Sequence, residues 1–129
     1  MELDCLTREV IGCAMKVHRL LGCGFLEIVY DRALAFELER KNIVFERQAV
    51  FPVRYGDQPI GTFIADYLVE KQLILELKAS KGLTPACHSQ LLNYLRTSDL
   101  SLGLLLNFGT PSLQIKRKVN NYQNMHGAQ

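Results

Sequence analysis

The stretch whose reading decides the fold is Asp66-Tyr67-Leu68-Val69-Glu70-Lys71-Gln72-Leu73-Ile74-Leu75-Glu76-Leu77-Lys78. Two apolar runs flank the charged Glu70-Lys71-Gln72, which predicts two strands, over 60–69 and 73–79, joined by a tight turn. Side chains alternate along a strand, so Glu76 and Lys78 share one face about 7 Å apart, and Leu75 and Leu77 take the other. Asp66 joins the Glu76 face only if the turn has an odd number of residues, as Glu70-Lys71-Gln72 provides, or if a bulge intervenes. A two-residue turn at Glu70-Lys71 would set Asp66 opposite Leu75 and separate the carboxylates.

Upstream, a strand over 44–55 closes onto 60–69 through Gly56-Asp57, so three strands form an antiparallel meander. Before it, Val10, Ile11, Ala14, Val17, His18 and Leu21 recur at helical spacing and predict a helix over 6–21, with Thr7 as its cap. Gly22 and Gly24 punctuate the chain, and a second helix follows over about 26–41, with Val29, Ala33, Phe36 and Leu38 among its apolar positions. Downstream, Pro85 suits the first turn of a helix reaching about residue 97. Residues 102–108 are nearly all apolar, as in a central strand buried on both faces, and 113–119 alternates as a further strand. The predicted order is α-α-β-β-β-α-β-β: one α/β domain over 1–129, with a flexible polar tail from about 121.

A chain of 129 residues with 48% apolar and 22% charged residues suits one domain with one core and is too apolar for a disordered protein. The net charge of +2 lacks the basic footprint of a general nucleic-acid binder, so any phosphate site must be local. No run is long and apolar enough for a membrane span, and Glu2, Asp4, Arg8 and Glu9 stand where a signal peptide would be apolar; the expectation is a cytoplasmic protein with no membrane partner. Cys5, Cys13, Cys23 and Cys87 contain no C-x-x-C pair, which argues against a zinc ribbon or thioredoxin-like site and favours structural thiols, Cys13 within an apolar helical pattern.

Two convergent carboxylates with an ammonium beside them suit a hard divalent cation, since Mg²⁺ is usually held by one or two carboxylates plus water and substrate phosphate. Phosphodiester hydrolysis is the natural reaction class. The alternative is a solvated strand face carrying a surface ion pair.

These residues resemble the PD-(D/E)XK nuclease superfamily, and within it the group named for G-x-x-E-x-x-Y, which stands here as Gly24-Phe25-Leu26-Glu27-Ile28-Val29-Tyr30. The resemblance runs from about residue 6 to 120 and takes in Val17-His18, Ile64-Ala65-Asp66, Glu76-Leu77-Lys78, Gln90 with Tyr94, and Leu104 to Gly109. It implies a restriction-endonuclease-like core: a mixed central sheet begun by the antiparallel meander and flanked by helices. It further implies metal ligation by Asp66, Glu76, the backbone carbonyl of Leu77 and Glu27, with Lys78 as the catalytic lysine. Gln90 and Tyr94, four apart on one helix face, would line the cleft. Glu27 reads equally as a first-turn acid favoured by the helix dipole, and Tyr94 as a ring packed beside Leu91 and Leu95.

His18 falls on an apolar stripe and reads as a hydrogen-bonded core histidine or a catalytic one, His88 as a packing residue near the cleft, and His126 as part of the tail. Ala65 replaces the proline of the superfamily's name, and Cys23 stands where relatives carry proline. Most cysteines precede the E-x-K strand, so no iron–sulfur cluster is expected. Lys116 and Lys118 share a strand face with Gln114, Arg117 shares the other with Ile115 and Val119, and Lys81 and Arg96 could extend a phosphate-contacting patch. The resemblance implies a Mg²⁺-dependent nuclease acting on DNA, with Mn²⁺ as a substitute. The competing reading is a catalytically inactive nuclease-fold module for nucleic-acid binding or protein assembly, and the apolar stripe of the first helix offers a homodimer contact.

Overall fold

The computed structural model describes residues 1–121; the expected tail, with His126, lies outside them apart from Asn121. The first helix, α1 (Leu3–Leu21), begins earlier than the spacing predicts, with Glu2 at its N-cap. Thr7 is therefore not a cap. It is buried inside the helix and its hydroxyl donates to the Leu3 carbonyl at 2.8 Å, the usual outlet for a hydroxyl whose neighbouring N–H groups are already committed to helix bonds.

The other elements follow the expected order: α2 (Glu27–Arg40), β1 (Phe45–Tyr55), β2 (Gln58–Val69), β3 (Leu73–Lys78), α3 (Pro85–Ser98), β4 (Leu102–Asn107) and β5 (Gln114–Val119). One five-stranded sheet has the spatial order β1-β2-β3-β4-β5. Neighbours are antiparallel except β3 and β4, which run parallel because α3 carries the chain back between them. The mixed sheet flanked by helices is a restriction-endonuclease-like arrangement. No helix among the described residues is long and apolar enough to cross a membrane.

Each sheet face has its own core. On one, Leu6, Val10, Ala14 and Val17 of α1 and Tyr30 and Leu34 of α2 pack on Tyr67, Leu75, Leu77 and Leu104. The α1 stripe is thus consumed by the chain's own core, which removes it as a dimer contact. On the other face, Leu91 and Leu95 of α3 pack on Ile74, Leu105, Phe63 and Ala65. His18 is buried and its Nε2 meets the Thr110 carbonyl at 2.9 Å, pinning the loop after β4. Of the four thiols only Cys13 is fully buried; Cys5 and Cys23 are exposed and Cys87 is half-buried, so the structural reading suits Cys13 alone.

The long β1–β2 hairpin turns over partway along. Phe45 and Tyr67 face α1 and α2, whereas Phe51, Val53 and Phe63 face α3, although strict alternation would keep Phe45 and Phe51 on one side. The reversal falls between the pairs Arg47–Tyr67 and Ala49–Ala65, where Gln48 and Asp66 face each other without pairing. Gln48 has φ 55.

At the far end of β3 and β4, the buried Asn107 accepts from Ser80 N–H (3.0 Å) and Gly109 N–H (3.1 Å) and donates to Ser80 O (3.1 Å) and Gln114 Oε1 (2.8 Å). Gly109 sits so close to this belt that a Cβ would run into the backbone of Ser80 and Ala79. Backbone cannot yield as a side chain can, so Gly109→Ala is expected to cost on the order of 3 kcal/mol, read as a lower urea midpoint at unchanged slope.

Candidate functional site

The site begins with a turn. Glu70 and Lys71 adopt left-handed φ values of 51° and 57°, and Gln72 N–H donates to the Val69 carbonyl at 2.9 Å. The connection has three residues, so Val69 pairs with Leu73, Leu68 with Ile74 and Tyr67 with Leu75. One step further along this register, Asp66 stands opposite Glu76, as an odd turn requires. There the ladder opens and the carboxylates take its place: Asp66 N–H donates to Glu76 Oε2 at 2.9 Å, and Leu77 N–H donates to Asp66 Oδ2 at 2.8 Å. Lys78 follows on the Glu76 side of β3, half-buried.

Glu27 arrives from α2, and the residues around it explain how. Gly22 and Gly24 take φ values of 70° and 117°, and Gly24's value strongly favours glycine. Tyr30 is fully buried and stacked on Phe108 with ring centroids 4.8 Å apart. Its hydroxyl donates to Gly22 O (2.6 Å) and accepts from Phe25 N–H (3.2 Å). Tyr30 therefore locks the loop ahead of α2, and that lock sets where α2 starts and where its first residue, Glu27, points. Burial and the nearby Asp66 charge raise the Glu27 carboxyl above its ordinary value, while Lys78 acts in the opposite direction.

Two further residues belong to the same place and escaped the sequence reading. Asp31, one turn after Glu27, is held by Arg47 through Nη2 at 2.7 Å and Nε at 3.3 Å, and its backbone carbonyl accepts from the Tyr67 hydroxyl at 2.6 Å. Its four-residue spacing from Glu27 was the available signal. Gln48, opposite Asp66, offered none. Glu27, Ile28, Asp31, Gln48, Asp66 and Leu77 line a cavity of about 290 Å³. Glu76 and Lys78, on either side of Leu77 along β3, are not among its lining residues, and Glu76 is only 5% exposed.

Burial and the Asp66 charge push Glu76 up to about 7; the bond from Asp66 N–H and the Lys78 ammonium pull it down. Asp66 is also raised, chiefly by burial, against the Leu77 N–H, Lys78 and a hydrogen bond with the Gln48 side chain. Such a pair is short of positive charge. Among the described residues no three His, Cys, Asp or Glu side chains are gathered so as to hold a metal ion unaided. Paired carboxylate oxygens beside a cavity nonetheless fit a hard cation that keeps part of its coordination for water and phosphate, as Mg²⁺ does.

On the α3 side, the Tyr94 ring stacks on Phe63 at 3.9 Å and 4°. Burial and then the charges of Glu76 and Asp66 raise its hydroxyl pKa, so one residue both packs and faces the carboxylates. Gln90, one turn earlier, is exposed and makes no hydrogen bond to them. His88 does not lie near the cleft as expected. Its neighbours are Lys116 and Lys118 of β5, which together with burial lower its pKa, because α3 crosses from the cleft toward the opposite edge of the sheet. Arg117, on the other face of β5, lines a groove with Asp4, Arg8 and Ile11.

The crystal structure of SSO0001 has this fold: the TM-score is 0.58 at 16% identity, over 78% of this chain and 53% of that one. The chain therefore spans about half the length of that solved chain. No curated protein matches it. A family model described as PD-(D/E)XK nuclease superfamily matches residues 4–118, all of the described helices and strands but the first residue of α1 and the last of β5, and on that match the chain belongs to the PD-(D/E)XK nuclease superfamily.

Proposed function

We propose that this chain is a Mg²⁺-dependent nuclease of the G-x-x-E-x-x-Y group that hydrolyses phosphodiester bonds of DNA. The observation that carries the reading is the open end of the β2–β3 ladder, where Asp66 and Glu76 replace backbone acceptors and Lys78 stands next along the strand. Asp66, Glu76, the Leu77 carbonyl and Glu27 are the groups that would hold Mg²⁺, or Mn²⁺ in its place. When bound, such a cation offsets phosphate charge and lowers the pKa of water.

The remaining chemistry falls to the chain. Lys78 orients the attacking water and offsets charge on the scissile phosphate. The Tyr94 hydroxyl and Gln90, on the α3 side, orient the substrate. Asp31, tied down by Arg47, keeps the acidic wall of the cavity in place. The second reading, an inactive binding or assembly module, draws on one observation: the described acidic residues do not by themselves form a three-ligand group.

Cleavage of linear, nicked and branched DNA and of RNA, with Mg²⁺, with Mn²⁺ and with chelator, separates the two. Cation-dependent cleavage of DNA supports the nuclease. Binding without cleavage on every substrate supports the module. In either case, duplex affinity held by a few lysines is expected to fall steeply between about 50 and 200 mM salt, and salt-independent association would point to a protein partner.

A further inference from the structure

Gln48 has a left-handed backbone inside a strand, at the point where the hairpin turns over. Five described residues other than glycine have positive φ. Asn42, Glu70 and Lys71 lie in turns and Asp99 caps α3, so Gln48 alone lies inside a strand. A left-handed conformation is unfavourable for an L-residue with a Cβ, and glycine would take it without that cost. The reversal needs the kink but not a glutamine in it, and Gln48 itself is exposed, outside both cores. Strained backbone at a residue with a Cβ is concentrated at functional sites.

The side chain supplies the reason. Gln48 faces Asp66 across the gap between Arg47–Tyr67 and Ala49–Ala65. It lines the same cavity as Asp66, and its side chain lies near enough to the carboxylate to favour the charged form. The Leu77 N–H bond alone leaves that carboxylate able to swing about one anchored oxygen. An amide on the opposite strand, facing the same cavity, is placed to limit that swing.

We propose that Gln48 is a positioning residue of the nuclease site, its amide aimed by the left-handed backbone so that the Asp66 carboxylate presents a fixed edge to a cation and substrate in the cavity. The assignment rests on the nuclease reading above. It makes the kink in β1 a device for orienting a carboxylate as well as for turning the hairpin over.

Gln48→Gly and Gln48→Asn test it, read by thermal melting, by Mn²⁺ calorimetry and by cleavage with kcat and KM separated. Glycine relieves the backbone and removes the amide, so Gln48→Gly is expected to melt no lower than wild type. It should nevertheless bind Mn²⁺ about tenfold more weakly and lose a similar factor in kcat, as groups that orient metal ligands do when removed, with KM for DNA within about twofold. Asparagine tolerates the left-handed region and keeps an amide, so Gln48→Asn should recover part of both losses. A Gln48→Gly protein that equals wild type in Mn²⁺ affinity and kcat overturns the assignment and leaves the nuclease reading intact. A wild type that neither takes up Mn²⁺ nor cleaves any nucleic acid overturns the nuclease reading and this assignment with it.

Discussion

Alanine at Asp66 or Glu76 is expected to abolish cation-dependent cleavage, whereas Lys78→Ala keeps cation uptake and loses about 10² to 10³ in rate. The difference follows from what each group contributes. Asp66 and Glu76 bring the negative oxygens to the open end of the ladder, and either one alone leaves too little charge to hold a divalent ion against water. Lys78 brings the opposite charge, so its loss does not weaken cation binding and falls on the transition state. All three variants should fold, because the bonds lost at the ladder opening lie at the margin of both cores. Calorimetry with Mn²⁺ and single-turnover cleavage of each variant make the measurement. Cleavage that survives in the Asp66 and Glu76 variants would assign the activity to a contaminant, and Lys78→Ala cleaving at the wild-type rate would remove the lysine from the mechanism.

The second large effect concerns stability, and its sign follows from burial. The folded protein holds Glu76 near 7, above its ordinary 4.5, so between those values the folded state keeps a proton that the unfolded chain has released. The contribution is fully present below about 4.5 and is lost as pH rises through 7, amounting to about 3 kcal/mol. Asp66 and Glu27 are raised as well and act with the same sign. Cation-free protein is therefore expected to melt on the order of 10 °C lower at pH 8 than at pH 5, and Mg²⁺ should close much of that gap by neutralising the pair. His88, whose pKa is lowered, works in the opposite sense. Glu76→Gln isolates the carboxyl: it should flatten most of the pH dependence and melt above wild type at pH 8 without cation. A Glu76→Gln protein with the wild-type pH profile would show that burial of this group costs the fold nothing.

Much of the site could be read along the chain because it is built from local rules. A three-residue turn sets strand register, and register sets which side chains face each other, so Asp66 opposite Glu76 follows from the residues between them. Glu27 and Tyr30 stand out in the sequence only through the G-x-x-E-x-x-Y pattern of the resemblance, which does not give the reason for the spacing. Tyr30 works by closing a loop back to Gly22 and by stacking on Phe108, far away in sequence.

Periodicity and turn chemistry thus determined the order of elements, a strand buried on both faces, and the condition that the β2–β3 turn had to meet. Each of these depends on residues within a few positions of one another. Long-range packing decided the rest. The α1 stripe met the sheet instead of a second subunit, and His88 came to lie near Lys116 and Lys118 of β5 because α3 spans the sheet from β1 to β5. Asp31 of α2 meets Arg47 of β1 only in the folded chain. Gln48 is the clearest case. A glutamine within a β-prone run predicts ordinary extended backbone, and only the turning over of a hairpin between two cores, with a carboxylate waiting on the facing strand, makes the left-handed alternative the stable one.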